Sequence, residues 1–277
     1  MKPYRASELR EFLESLQVDA KKGLSQNFLI DGNILKKMMV AADIQEGDAV
    51  LEIGPGPGAL TQCLLEKGVH VTAVEIDPLF AKALERLARP PGTLQIIAQD
   101  FLKLPLEPLL QKPPPSAQKW KVVTNLPYHI TTPILTRLLP HHAHITSVTA
   151  MVQKEFAQRM VARPGSSEYG SFSLFTAFYS KARYCFTVPP TCFYPRPKVD
   201  SAVVHCTLHL PPNVAEEVFF KITRTAFHTR RKMLKTSLKK LIPPAQLEAA
   251  LRAMNLPITA RPEELSLEQF ATIAQLC

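Results

Sequence analysis

Residues Val50–Leu60 read VLEIGPGPGAL, and the way this stretch folds decides the rest. A short apolar run ends at Ile53. Gly54, Gly56 and Gly58 then alternate with prolines before the helical pattern ALTQCLLEKG, which Gly68 closes in the position where helices favour glycine. The spacing predicts a strand, a tight turn and a helix. Glycines at a strand's carboxyl end let backbone approach a ligand where open α/β sheets bind them. The same alternation continues downstream. VHVTAVEID (69–77) reads as a second strand, and PLFAKALERLAR as a helix with proline first. LQIIAQD (94–100) is a third strand. WKVVTN (120–125) is a fourth, after a loop containing KPPPSAQ. SVTAMVQ, RYCFTVP and SAVVHCTLHL add later β-like runs, and SFSLFTAFYSKA reads as helical or mixed. Beyond residue 211 only amphipathic helix with proline breaks remains. Alternating βα units followed by a helical tail predict an α/β fold: a mostly parallel, doubly wound, Rossmann-like sheet with a small C-terminal α-helical domain.

The chain has 277 residues, enough for one large and one small domain, and 46% of them are hydrophobic. No apolar run reaches bilayer length. The opening MKPYRASELREFLESLQ mixes charges and has no signal-peptide centre. Leu9, Phe12, Leu13 and Leu16 fall at helical spacing there. The expected division is therefore a helical extension over 1–20, a catalytic domain over 21–210 and a helical domain over 211–277. Cysteines 63, 185, 192, 206 and 277 show no metal-ligand spacing, so thiols in a cytoplasmic compartment and no metal are expected.

The net charge is +9, with 33 basic and 24 acidic residues, and it is unevenly distributed. KITRTAFHTRRKMLKTSLKK (221–240) carries eight Lys or Arg and no acid. Pairing at i,i+4 is impossible within it, which predicts a surface facing a polyanion. Lys221, Arg224, Arg230, Arg231, Lys232 and Lys235 are the candidate nucleic-acid contacts. A membrane-binding helix would carry a cleaner apolar stripe.

Glu75 ends the second strand, twenty-one residues past Gly54. A carboxylate at that distance can accept both hydroxyls of a ribose. Asp77, followed by Pro78, is expected to cap the next helix instead. The glycine spacing is GxGxG, with prolines between, and leaves little room for a diphosphate. S-adenosyl-L-methionine has no phosphate and carries a cationic sulfonium, so it fits better than a dinucleotide. Asp100 closes the third strand as a further acid on the same edge, suited to the adenine amino group. Glu52 reads as a supporting structural acid.

The fourth strand gives way to Asn125, Leu126, Pro127 and Tyr128. Proline stops ladder pairing and fixes the backbone at this corner. An aromatic amine is a poor nucleophile because its lone pair is delocalised into the ring. The Asn125 side-chain oxygen and the Leu126 carbonyl can hold its two hydrogens and expose the lone pair. Pro127 freezes their angle, and Tyr128 stacks on the base.

QNFLID, EIGPGPGALT, VEID, QDFL, NLPYHITTPIL, MVQKEFAQRM, YGSFS, FYPRPKVDSAVV and FHTRRKMLKTSL occur in that order from Lys21 onward. Together they resemble the small-subunit rRNA adenine N6,N6-dimethyltransferases over nearly the whole chain. The resemblance implies a class I methyltransferase fold and S-adenosyl-L-methionine as donor. It also implies two adjacent adenines near the 3′ end of small-subunit (16S) rRNA as acceptors, within an immature ribosomal subunit. The donor site then falls on Asn27, Leu29, Gly54, Gly56, Glu75, Asp100 and Asn125. Asn125, Leu126, Pro127 and Tyr128 form the catalytic corner, with Phe193 as a second aromatic jaw around the base. Two details depart from the family pattern. Gly23 and Ser25 are exchanged in the connector, and His129 and Thr131 stand where Asn or Lys and Ser are more usual. A cytoplasmic monomer is the expected state. Rival readings are an Erm-type large-subunit rRNA methyltransferase, a nucleic-acid-binding transcription factor of this fold and, on the glycine turn alone, an NAD-binding oxidoreductase.

Overall fold

The computed structural model describes residues 5–17, 27–114, 116–230 and 232–276. The chain divides into two compact units, Met1–Ala157 with Arg183–Leu208, and Gln158–Ala182 with His209–Cys277. The second unit thus takes in a segment ahead of residue 211, which the linear reading did not anticipate.

In the first unit, α1 (Ala6–Ser15) buries Leu9, Phe12 and Leu13 in a cluster with Phe28 and Phe80. Residues 1–4 of the expected extension and the stretch from 18 through 26 lie outside the described residues. β1 (Phe28–Leu29) and α2 (Gly32–Ala41) lead into β2 (Ala49–Ile53), α3 (Ala59–Glu66), β3 (His70–Glu75), α4 (Pro78–Leu84) and β4 (Thr93–Ala98). α5 (Leu106–Leu110), β5 (Trp120–Asn125), α6 (Thr131–Leu138), β6 (Ile145–Gln153) and α7 (Lys154–Met160) follow. After α8 (Ser171–Tyr179), β7 (Ser180–Val188), β8 (Phe193–Tyr194) and β9 (Ser201–Leu208) complete the strands.

The main sheet has seven strands in the order β4-β3-β2-β5-β6-β9-β7. Its first five run parallel, and β9 is antiparallel to β6. β2 is buried at all five positions, as a central parallel strand covered on both faces must be. Strand order reverses between β2 and β5, so their carboxyl ends open a crevice. A separate two-stranded ribbon joins β1 to β8, pairing Phe28 with Tyr194 and Leu29 with Phe193. Asp31 caps α2, accepting from the Asn33 and Ile34 amides, and Asp77 caps α4 through the Leu79 amide.

Gly92 precedes β4 where the backbone passes α3 closely. A Cβ there would lie 2.8 Å from Leu65 Cα, Leu65 O and Val69 O, all backbone atoms that cannot rotate away. Gly92→Ala is therefore expected to cost about 2–3 kcal/mol, read as a lower denaturant midpoint at unchanged slope.

In the second unit, α8 packs on α9 (Glu216–His228), followed by α10 (Leu234–Leu238), α11 (Pro244–Ala253) and α12 (Leu267–Ala274). Its core is aromatic: Phe178 and Phe219 lie 4.7 Å apart between centroids, and Phe270 is fully buried. The Tyr179 hydroxyl donates to Glu216 at 2.7 Å, and that of Tyr169 to the Leu265 carbonyl at 2.8 Å. SFSLFTAFYSKA resolves into helix to Tyr179 and strand from Ser180.

Candidate functional site

The glycine turn leaves β2 with Gly54, Gly56 and Gly58 all at positive φ. Gly56 shows why a side chain is excluded: a Cβ would meet the Phe28 ring at 3.2 Å, on a backbone with φ near +53°. The turn is tied to β3 through Glu75. One carboxylate oxygen of Glu75 accepts from the Gly56 amide and the other from the Asp77 amide, both at 2.9 Å. Glu75 is buried, and burial raises its pKa against those two amide bonds.

Asp100 lies two residues beyond the end of β4 rather than closing it, because the Gln99 amide already turns back to the Ile97 carbonyl. Its carboxylate accepts from the Leu102 amide at 2.9 Å. Asn125 ends β5, and its Nδ2 donates to the Asn27 carbonyl at 3.3 Å. That bond sets the orientation of the amide and turns Oδ1 to the opposite side. Leu126 donates its amide to the Met151 carbonyl, and its side chain is buried. The Pro127 carbonyl accepts from the Ile130 amide and from the Thr131 hydroxyl, which locks the corner. The Tyr128 hydroxyl and Ser201 Oγ are 2.6 Å apart. Burial raises the Tyr128 pKa, against the Ser201 bond, so its hydroxyl stays neutral.

These parts surround one cavity of about 240 Å³. Asn27, Leu29, Gly54, Gly56, Glu75, Asp100 and Asn125 line it, together with Leu126, Pro127 and Tyr128. Phe28, Ile76, Gln99 and Leu102 also line it and were not anticipated. Ile76 is 61% exposed directly after Glu75, and an aliphatic side chain in that position was a readable signal. Ser201 had no local signal, since its partner Tyr128 is 73 residues away.

Phe193 is the residue expected as a second aromatic jaw around the base. It is 1% exposed, packs in the main core with Leu29, Val188 and Cys192, and is not among the lining residues. It pairs with Leu29 in the β1–β8 ribbon, and its ring is packed in the core.

The basic segment, which lies in the second unit, also divides by environment. Lys221, Arg224 and Lys232 are exposed. Arg230 instead donates to the Ser166 and Ser167 carbonyls, at 3.0 and 2.6 Å. Lys235 pairs with Glu248 at 3.2 Å, an acid outside the run. Arg231 lies outside the described residues. Arg224, His228, Lys232 and Lys239, with four hydroxyl side chains, line an open groove in this unit of about 450 Å³.

Acids on adjacent strand ends, a glycine cradle that a Cβ would fill and an apolar floor suit a cationic nucleoside without phosphate. With the sheet order, they define an S-adenosylmethionine-dependent class I methyltransferase. The chain matches the family "Ribosomal RNA adenine dimethylase" over residues 17–277. It belongs to that family. A Protochlamydia amoebophila protein named "Ribosomal RNA small subunit methyltransferase A" is 54% identical over 96% of this chain and 94% of its own length. A Chlamydia caviae protein of the same name is 46% identical, over 97% of this chain and 96% of its own. Among solved structures, a dimethyladenosine transferase from Plasmodium falciparum shares the fold. Its TM-score is 0.73 at 24% identity, covering 89% of this chain and 95% of that one. The 23S rRNA methyltransferase ErmE aligns with TM-score 0.67 at 27% identity, over 90% of this chain and 98% of that one.

Proposed function

We propose that this rRNA adenine dimethyltransferase transfers methyl groups to N6 of two adjacent adenines near the 3′ end of small-subunit rRNA, acting on an immature ribosomal subunit. The observation that carries the site assignment is the convergence of Glu75, Asp100 and the Asn125–Tyr128 corner on one cavity at the reversal of strand order. The names of the 54% and 46% identical relatives support the small subunit as substrate. The protein acts in the cytoplasm as a monomer, without a membrane partner. No helix among the described residues is long and apolar enough to cross a bilayer.

Bound in the cavity, S-adenosyl-L-methionine supplies an electrophilic methyl on a sulfonium. Glu75 accepts the ribose hydroxyls with the lone pairs its two amide bonds leave over. Asp100 accepts from the adenine amino group, and Asn27, Leu29, Gly54 and Gly56 frame the nucleoside. The target adenine, unstacked at a cost of a few kcal/mol, lies against the Tyr128 ring. Asn125 Oδ1 and the Leu126 carbonyl accept its two amino hydrogens, which localises the lone pair on nitrogen. Alignment supplies most of the acceleration, and no strong base is needed. The proton lost after transfer passes to water.

Phosphate contacts from Lys221, Arg224 and Lys232 hold the RNA by charge and shape without reading its sequence. Changing all three to Ala is expected to weaken rRNA binding and flatten its salt dependence by about 2–3 in slope, with donor affinity unchanged. An unaltered slope removes these residues from the interface. The substrate is tested with labelled donor and undermethylated small and large subunits. Label on N6 of neighbouring adenines in the small-subunit rRNA is expected, and label on the large subunit overturns the assignment.

A further inference from the structure

Residues 99–104 follow β4, and Gln99, Asp100, Phe101 and Leu102 among them line the cavity. They close a single turn. The Lys103 and Leu104 amides donate to the Asp100 carbonyl at 3.0 and 3.1 Å, and the Leu102 amide donates to the Asp100 carboxylate at 2.9 Å. A single turn satisfies few of its own carbonyls. Arg137, on α6, takes up two of them. Its Nη1 donates to the Phe101 carbonyl and its Nη2 to the Leu104 carbonyl, the second at 2.6 Å. The guanidinium carbon also lies 5.4 Å from the centre of the Phe101 ring. Arg137 forms no ion pair among the described residues, so both its hydrogen bonds are spent on this loop. It does not itself line the cavity.

The helix that carries Arg137 is well anchored. α6 buries Thr131, Ile134, Leu135 and Leu138, with Arg137 in its last turn. At its start the Thr131 hydroxyl bonds the Pro127 carbonyl of the catalytic corner. One helix thus follows the target corner and, a turn and a half later, grips the loop that presents Asp100. A lysine would supply the charge but not the planar fork that reaches two carbonyls while lying on a ring.

We propose that Arg137 is a positioning residue for the donor: by clamping the Phe101 and Leu104 carbonyls to α6, it holds the Asp100 carboxylate where the adenine amino group is recognised. The inference rests on Asp100 being the acceptor for that amino group. Without the clamp the loop samples other positions, and donor binding must give them up. The loss falls on recognition of the adenine and not on methyl transfer once the donor is seated.

The test is calorimetric titration of the full-length protein with S-adenosylhomocysteine and with S-inosylhomocysteine, which carries a carbonyl where adenine has its amino group. The wild type is expected to prefer the adenosyl ligand about tenfold or more, and Asp100→Ala to lose that preference. Arg137→Met keeps the apolar stem without the donors. It should weaken the adenosyl ligand about tenfold and the inosyl ligand less than about twofold, so the preference all but disappears. Arg137→Lys should fall between, and it carries the same comparison if Arg137→Met is too unstable to titrate. In turnover of undermethylated small subunits, Arg137→Met should raise the donor KM about tenfold with kcat within about twofold of wild type. A merely structural role would weaken both ligands alike. That result, or a preference that survives in both Arg137 variants, overturns the proposal. If the wild type shows no preference, or Asp100→Ala retains it, the assignment of Asp100 fails and this inference fails with it. If the preference depends on Asp100 but not on Arg137, this inference alone fails.

Discussion

Asn125→Ala is expected to lower the rate of methyl transfer roughly 10³-fold, while donor affinity changes by less than about tenfold. The asymmetry comes from what the amide touches. Its Nδ2 is held by the Asn27 carbonyl, a bond that only helps to close the donor side of the cavity. In the proposed mechanism its Oδ1 is one of two acceptors for the amino group of the target base. Removing it leaves the exocyclic nitrogen conjugated with its ring and free to rotate out of line. Asn125→Asp keeps an acceptor but loses the donor to Asn27, so an intermediate rate is expected. Single-turnover kinetics on undermethylated subunits, beside calorimetry with the donor alone, separate the two effects. Equal losses in both would reassign Asn125 to donor binding.

Glu75→Ala is expected to weaken donor binding about 100-fold or more. The carboxylate does two jobs at once. It receives the Gly56 and Asp77 amides, holding the glycine turn against β3, and in the proposed mechanism it accepts the ribose hydroxyls. Alanine leaves two partly buried N–H groups without that acceptor and lets a turn of positive-φ glycines relax. Glu75→Gln keeps one acceptor oxygen but turns an N–H₂ toward one of the amides, so it should recover little. Calorimetric titration of donor reads the loss. If Glu75→Ala binds the donor within a few-fold of wild type, the ribose contact lies elsewhere.

Much of this site was legible because its chemistry is local. Gly54, Glu75, Asp100 and Asn125 each stand at or just beyond the end of a strand whose apolar run is plain in the sequence, and parallel βα units bring successive strand ends to one edge. What stayed hidden depends on contacts between distant segments. Phe193 sits in a motif that suggests a base-stacking ring, yet it is buried in the core beside a strand partner 164 positions earlier. Arg230 and Lys235 read as free cations, because a charge run does not disclose a carbonyl pair at Ser166 and Ser167 or an acid at Glu248. The membership of residues 158–182 in the second unit has the same origin: the aromatic helix α8 is matched by Phe219 and Phe220, forty residues on, and not by its neighbours in sequence.

The most direct measurement is a crystal structure with S-adenosyl-L-methionine bound. The ribose should sit on Glu75, the adenine beside Asp100, and the transferable methyl should point into the gap between Asn125 Oδ1 and the Leu126 carbonyl, facing the Tyr128 ring. A donor lodged away from the β2–β5 crevice, or one whose methyl is directed away from that corner, would contradict the account.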